Sequence, residues 1–340
     1  MGEKSKTVGV VLLNMGGPDS LEAVRPFLYN LFSDRQIIRL GPPFLQRPLA
    51  CLISSIRSKK TGRMYSLIGG KSPILEITNA QARALEEVLN ADAARLTASG
   101  LGTGNSELDF RVYVGMRYWR PFIEDVISGM CEGGIRRVVA LSLYPHYSLA
   151  TSGSSLAKFE EAASNLGLEY VLISEWYDHP LYIEALVDVI RKGLESFSHG
   201  SDVHVLFSAH SLPQKFVDRG DPYVEHIKRT IEKIVKLIPV QWHLSYQSRS
   251  GPVKWLKPST EEKLKELSAN GVRRVLMVPI SFVSDHIETL YEMDILYANL
   301  AKEFGITLHR AAALNTHPLF IEALRDIVGK GLSEAGWRPA

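Results

Sequence analysis

His179-Pro-Leu-Tyr-Ile-Glu-Ala-Leu-Val-Asp-Val-Ile-Arg-Lys-Gly-Leu194 returns later in the chain as His317-Pro-Leu-Phe-Ile-Glu-Ala-Leu-Arg-Asp-Ile-Val-Gly-Lys-Gly-Leu332. Eleven of the sixteen positions are identical, at an offset of 138 residues. Gly134-Ile-Arg-Arg-Val-Val-Ala-Leu141 likewise returns as Gly271-Val-Arg-Arg-Val-Leu-Met-Val278, at an offset of 137. A weaker pair sets Val8–Pro18 against Val203–Pro213, both apolar strands running into a turn. The nearly constant register points to internal duplication of one supersecondary unit.

Each half alternates strands with helices. The expected strands are Val8–Leu13, Val112–Gly115, Val138–Leu143 and Tyr170–Ser174, then Val203–Phe207, Trp242–Tyr246, Val275–Ile280 and Thr307–Ala311. They are continuous apolar runs without alternation, as strands of a parallel sheet covered on both faces should be. Helical patterns lie between them at Asn79–Leu89, Pro121–Glu132, Gly153–Leu166, Asp221–Leu237, Glu261–Asn270 and Ile287–Phe304. Ser152 or Ser154 is placed to cap the third, and Gly134 and Gly271 to stop the helices before them. The fold class is therefore α/β: two duplicated, doubly wound, Rossmann-like domains, each with a parallel four-stranded sheet. The helix at His179 carries the chain from one half to the other. By symmetry its copy should pack back on the first. We expect one domain over residues 1–176 and a second over 177–316, with helix 317–335 lying on the first domain.

Composition is that of an ordinary globular protein: 340 residues, 45% hydrophobic and 22% charged. Thirty-nine basic against 37 acidic residues leave a net charge of +2, which gives no reason to expect nucleic acid. Cys51 and Cys131 are too few for a disulfide framework or a four-cysteine metal site. The polar start before Val8 has no export signal, so the chain is expected in the cytoplasm. The apolar stretch 37–56 is interrupted by Arg39, Arg47 and three prolines, so it cannot span a bilayer as a plain helix.

Ligands of doubly wound sheets sit beyond the carboxyl ends of the strands. Those ends carry Asn14-Met-Gly-Gly-Pro18, Met116-Arg-Tyr-Trp119, Tyr144-Pro-His-Tyr-Ser148, Ser208-Ala-His-Ser-Leu-Pro213, Gln247-Ser-Arg249 and Ser281-Phe-Val-Ser-Asp-His286. Neither the dinucleotide nor the phosphate-loop glycine spacing is present. Asp285, Glu288 and Glu292 would line one helix face. Side by side they repel unless protons or cations relieve them, although Asp285 is also placed to cap that helix. Taken alone, a histidine at a strand end such as His210 is more often a hydrogen-bonded structural residue. Sharing a rim with His286 and Glu288, it suits either a borderline divalent cation such as Fe²⁺ or proton transfer near neutral pH.

Several of these segments resemble the ferrochelatase family. They are Leu13-Asn-Met-Gly-Gly-Pro18, Tyr65-Ser-Leu-Ile-Gly-Gly-Lys-Ser-Pro73, Gly115-Met-Arg-Tyr118, Tyr144-Pro-His-Tyr-Ser148, Ser208-Ala-His-Ser-Leu-Pro213 with Gly220-Asp-Pro-Tyr223, Tyr246-Gln-Ser-Arg249 with the segment up to Trp255-Leu256, and Phe282-Val-Ser-Asp-His-Ile-Glu-Thr-Leu-Tyr-Glu292. The match runs from about residue 7 to 328. The resemblance implies a chelatase-like fold with the active site in the cleft between two domains. It implies a lyase that inserts Fe²⁺ into protoporphyrin IX and releases two protons, at the end of haem biosynthesis. By position it gives His210 and Glu288 the principal catalytic places, facing the metal. His286, Glu292 and Asp285 continue as a path. Met15, Arg57, Tyr65, Ser72, Arg117, Tyr118 and Trp255 take porphyrin-binding places.

The stretch 37–56 matches an apolar lip at the pocket mouth. Phe44, Leu45, Leu49, Leu52 and Ile53 would lean into a membrane surface there, with Arg39, Arg47 and Arg57 near headgroups. Peripheral contact with the inner face of the cytoplasmic membrane follows. Leu149 stands where the cluster-bearing animal type has a cysteine, so no iron–sulfur cluster and no permanently bound cofactor is expected. Met15, where the coproporphyrin-using branch tends to carry tyrosine, favours protoporphyrin. A monomer is expected, with a dimer as the alternative. The alternatives are a coproporphyrin III or Co²⁺ chelatase of the same fold, and a two-lobed carrier of haem or metal. The His210–Glu288 pair speaks against the carrier, which needs no proton acceptor beside its ligand.

Overall fold

The computed structural model describes residues 7–98, 108–198, 202–249, 251 and 253–337. The first half holds strands β1 (Thr7–Asn14), β2 (Asp109–Met116), β3 (Arg137–Ser142) and β4 (Glu169–Ile173). The second holds β5 (His204–His210), β6 (Trp242–Gln247), β7 (Arg274–Pro279) and β8 (Thr307–Arg310). Their spatial orders are β2-β1-β3-β4 and β6-β5-β7-β8, all parallel. The two orders are the same, which is what the sequence repeat requires. All eight expected strands are present, with ends moved by at most three residues. The central strands are dry: Val8, Val10, Val11, Leu12 and Leu13 of β1 and Val138 to Leu141 of β3 are fully buried. In each sheet the chain leaves the second-place strand first to one side and then to the other. This reversal opens a crevice at the carboxyl ends of β1 and β3, and of β5 and β7.

The helices are α1 (Val24–Ser33), α2 (Gln46–Ser66), α3 (Ile74–Ala98), α4 (Ile123–Glu132), α5 (Ser154–Asn165), α6 (Pro180–Leu194), α7 (Gln214–Val217), α8 (Tyr223–Leu237), α9 (Thr260–Ala269), α10 (Ala298–Glu303) and α11 (Pro318–Glu334). Outer-face cores form separately, with α4 and α5 on the first sheet and α9 and α10 on the second. The largest core runs between the sheets, through α3, α6, α8 and α11. Here the repeated helices exchange partners. Helix α6 follows the first sheet but packs on β7 and α8 of the second; α11 follows the second and packs on β3, β4 and α3 of the first. Equivalent glycines make both contacts close. A Cβ at Gly193 would come within 2.8 Å of Leu276, and one at Gly331 within 3.3 Å of Ile173. Each helix also binds the other reciprocally: His179 meets Asp326 at 3.0 Å, and His317 meets Asp188 at 2.7 Å.

Three local expectations change. The helix expected at Gly153 begins with a π-helical turn, Leu149–Gly153, capped by Ser148, whose Oγ accepts the Ala150 N–H. Neither Ser152 nor Ser154 caps it: Ser152 accepts a hydrogen bond from Ser142 (3.0 Å) and Ser154 donates one to Asp34 (2.8 Å). The helix expected over Ile287–Phe304 is a π-helix, Glu288–Tyr297, that tightens into α10. Helices α1 and α2, for which no periodic pattern was assigned, form a fourth small core around Phe27, Phe32, Ala50 and Tyr65. Among the described residues no helix is long and apolar enough to cross a membrane.

Candidate active site

The apolar run of β5 ends on His210, and the strand register brings that residue beside Gln247 of β6. From the other side comes the first residue of the π-helix. His210 Nδ1 lies 2.8 Å from Glu288 Oε2. An ionised carboxylate can only accept, so the imidazole proton sits on Nδ1 and Nε2 keeps its lone pair. The Glu288 side chain is 12% exposed and that of His210 is 32% exposed. Burial alone would push the His210 pKa down; Glu288, the hydrogen bond to it and Glu292 carry it above the ordinary histidine value. Glu288 shows the converse. Burial would raise it, but His210, His286 and Ser248 hold its carboxyl well below the usual range.

The charge pair is braced from β6. The same Glu288 oxygen accepts from Gln247 Nε2 (3.3 Å) and Ser248 Oγ (2.9 Å). Ser248 Oγ is also 2.7 Å from Glu292 Oε2, one π-helical step further on. One hydroxyl has one proton to give. With Glu288 ionised, the second contact is satisfied when Glu292 is protonated and donates to Ser248. That agrees with the Glu292 pKa, pushed up to about 7 by burial and the Glu288 charge. Ser248 holds this place with φ 66°, a left-handed conformation uncommon outside glycine. The π-helix itself is a rare winding, frequent at functional sites.

His286 faces the same centre by a different route. Its Nδ1 lies 3.0 Å from the Ser284 carbonyl, so the ring carries its proton there and Nε2 is the acceptor. Burial drives its pKa below the ordinary value, more strongly than Glu288 raises it. Phe282 stands between the two imidazoles, its ring centre 4.3 Å from that of His286 and 6.1 Å from that of His210. Asp285 does not join this group. Its carboxylate takes Arg310 Nη1 (3.0 Å), Asn315 Nδ2 (2.9 Å) and Thr289 Oγ1 (2.9 Å). The partly buried Arg310 guanidinium, held also by Asp294, occupies that carboxylate and keeps it out of the path. Among the described residues no set of three or more His, Cys, Asp and Glu side chains is arranged to hold a metal ion.

The facing wall comes from the first half. Asn14, Met15, Ile74, Leu143 and Tyr144 line a cleft whose other side is Ser281–Ser284 and His286. Tyr65 and Ser72 are buried near it; burial and the Glu288 charge raise the pKa of Tyr65, and likewise of Tyr144. Arg117 and Tyr118 follow β2, their backbone N–H groups bonded to Asn14 and Met15 carbonyls. The Tyr118 hydroxyl is committed to Asp34 at 2.8 Å, and its ring is buried in the small core of α1 and α2. Trp255 is carried beside the chain that leaves His210, because Leu256 and Gln214 pair with Leu212 and Lys254. Its indole N–H is buried without a protein partner. Arg57 is exposed on α2, stacked over Phe32 at 5.5 Å.

On the lip, Phe44 is 76% exposed and Leu45 and Leu52 are also open, whereas Leu49 is half-buried and Ile53 packs inward on the α1–α2 core. Ile56 and Leu67, which the sequence reading did not single out, extend the exposed apolar surface. It likewise gave no role to Tyr144, Gln247, Ser248 or Phe282, though all four stand at strand ends it had quoted. Asp34 carried no signal at all.

A family model described as ferrochelatase matches residues 7–332. The chain is 52% identical over 328 residues to a ferrochelatase of Geotalea uraniireducens, covering 95% of this chain and 98% of that protein. It is 49% identical over 335 residues to a ferrochelatase of Synechocystis, covering 96% and 83%. Solved structures of similar fold include SirB from Bacillus subtilis with Fe³⁺, at TM-score 0.54, 11% identity and 98% coverage of both chains. A second is the sirohydrochlorin chelatase SirB in complex with cobalt, at TM-score 0.52, 11% identity and 97% coverage of both. At such identities the likeness is one of fold.

Proposed function

The chain belongs to the ferrochelatase family and is a lyase of haem biosynthesis that inserts iron into a porphyrin; from that premise we propose that its porphyrin is protoporphyrin IX, metallated by Fe²⁺ at His210 and Glu288. The observation that carries the site assignment is the 2.8 Å bond between those two side chains at the crevice of the second sheet.

A free porphyrin keeps two N–H protons in the plane where iron must enter. Both must leave, one for each positive charge brought by Fe²⁺. Gripping the macrocycle so that a pyrrole tilts exposes a proton and a lone pair, at the expense of remote binding energy. His210 Nε2 accepts a pyrrole proton, and the resulting imidazolium is stabilised by Glu288 through Nδ1. Glu288 and Glu292, linked by Ser248, relay protons or iron away from or toward His210. His286, neutral with a free Nε2, is the next acceptor along the cleft. Met15, Tyr65, Ser72, Arg117 and Trp255 hold the macrocycle, with Tyr118 backing Arg117, and Arg57 on the lip meets a propionate.

The domain division follows the same reading: residues 1–176 with helix 317–335 form one lobe and residues 177–316 the other. With two cysteines, Cys51 exposed and Cys131 half-buried, we read the enzyme as working without an iron–sulfur cluster. Met15 on the cleft wall is a flexible apolar side chain suited to vinyl groups. Anaerobic assays with Fe²⁺ are therefore expected to give a kcat/KM at least about tenfold higher for protoporphyrin IX than for coproporphyrin III, since each added carboxylate would have to be desolvated or paired. The reverse preference would assign the chain to the coproporphyrin branch.

The lip supports cytoplasmic work at a membrane surface. Helix α2 carries Arg47, Arg57, Lys59, Lys60 and Arg63 and no acidic residue, next to the exposed Phe44, Leu45, Leu52 and Ile56. Apolar insertion plus attraction to anionic headgroups is the two-signal combination that gives peripheral binding. The protein should sediment with vesicles containing anionic phospholipid, and a Phe44→Asp, Leu52→Asp, Ile56→Asp variant should lose more than about tenfold of that partitioning. Wild-type protein that stays in the supernatant would remove the membrane from this account.

A further inference from the structure

Asp34 is buried, its side chain 5% exposed, at the C-terminal end of α1. One of its oxygens, Oδ2, collects three donors: Arg117 Nη2 at 2.7 Å, Tyr118 Oη at 2.8 Å and Ser154 Oγ at 2.8 Å. The other, Oδ1, accepts the Gln36 N–H at 2.8 Å and closes the turn that leads to the lip. Arg117 Nε also donates to Ser154 Oγ at 2.9 Å, and the guanidinium lies 5.0 Å from the Tyr118 ring centre. Its side chain is still 18% exposed.

We propose that Asp34 is a positioning residue for iron insertion: it fixes Arg117 and the Tyr118 ring in one geometry on the porphyrin-binding wall and joins that wall to the lip turn. This rests on the reading of Arg117 as part of the wall. A free arginine loses rotamer freedom when it grips a ligand. Charge-assisted bonds to a buried carboxylate settle that loss before the porphyrin arrives, which is preorganisation. Two of the five guanidinium N–H groups go to Asp34 and Ser154, leaving three, the Nη1 pair among them, for a ligand. The same contact commits the Tyr118 hydroxyl, and its buried ring backs the Arg117 guanidinium from the side of the α1–α2 core. Residues Arg35 and Gln46 continue the connection: Arg35 Nη1 reaches Gln46 Oε1 at 3.2 Å, and Gln46 Nε2 holds the Phe32 and Ile38 carbonyls at the root of α2.

The test is a double-mutant cycle on Asp34→Asn and Arg117→Ala, read by quenching of porphyrin fluorescence and, separately, by thermal melting. Asp34→Asn is expected to weaken porphyrin binding about tenfold. In the Arg117→Ala background it should change binding by less than about twofold, whatever it does to the melting temperature. If Arg117→Ala alone leaves affinity and turnover unchanged, Arg117 is not part of the wall, and the reading beneath the proposal falls with it. If Arg117→Ala weakens binding and Asp34→Asn adds its own full effect on top, Asp34 is only a structural carboxylate and the proposal alone is overturned. Should Asp34→Asn fail to fold, Ser154→Ala replaces it. That variant removes one donor from Asp34 and one acceptor from Arg117, and should weaken binding about threefold only while Arg117 is present. An equal loss in the Arg117→Ala background overturns the proposal.

Discussion

His210→Ala is expected to lower the turnover of iron insertion by about a thousandfold while porphyrin affinity stays within about threefold of wild type. The magnitude is that of losing a positioned general base. The argument for separate effects is geometric. His210 ends β5 on the second half, whereas the apolar wall of the cleft is built from Asn14, Met15, Ile74, Leu143 and Tyr144 of the first. Removing the imidazole leaves that wall untouched. Glu288 would keep Gln247 and Ser248 as donors to the same oxygen, so its charge is not stranded. Anaerobic single-turnover absorbance measurements read the chemistry, and fluorescence quenching reads the binding. Near-normal turnover would dismiss His210 as the proton acceptor.

Glu288→Gln gives the second large effect, about a hundredfold in turnover together with a displaced pH profile. The amide oxygen can take the place of Oε2 and accept the same three hydrogen bonds, so the fold is preserved. What disappears is the negative charge that raises the His210 pKa against its burial. A base is active when unprotonated. Its acid limb therefore stands higher with Glu288 present and should move to lower pH in the variant. Glu292 loses a neighbouring charge that helps to hold its pKa at about 7, so its own titration should also move down. The wild-type residues titrate as a coupled set, and the comparison is between whole profiles. An unmoved acid limb of kcat/KM would assign that limb to a group other than His210.

The central strands were legible because they are covered on both faces and read as unbroken apolar runs, and the half-exposed edge strands because each recurs at the same place in the two halves. Helices α1 and α2 were not. Their register answers to a small core of their own around Phe27 and Tyr65, and α2 turns Leu52 and Ile56 outward. In the site, the shared rim of His210, His286 and Glu288 could be read from strand ends. The acidic face could be read only in part. Asp285, Glu288 and Glu292 look alike in sequence, but Arg310, on β8, claims the first, and Ser248, on the loop after β6, joins the other two. Partners that arrive from distant segments leave no periodic trace. Asp34 is the extreme case, since its meaning lies in residues some eighty and more than a hundred positions away.

The crossed attachment of α6 and α11 has a bearing on how the molecule is made. The first sheet emerges from the ribosome early, yet the helix that shields Val171 and Ile173, Pro318–Glu334, is synthesised only after the whole second sheet. For on the order of ten seconds at ordinary elongation rates, that apolar face has no native cover. Nascent chains of this protein should therefore engage holding chaperones until residues 318–334 have cleared the exit tunnel, and neither lobe should mature before the other.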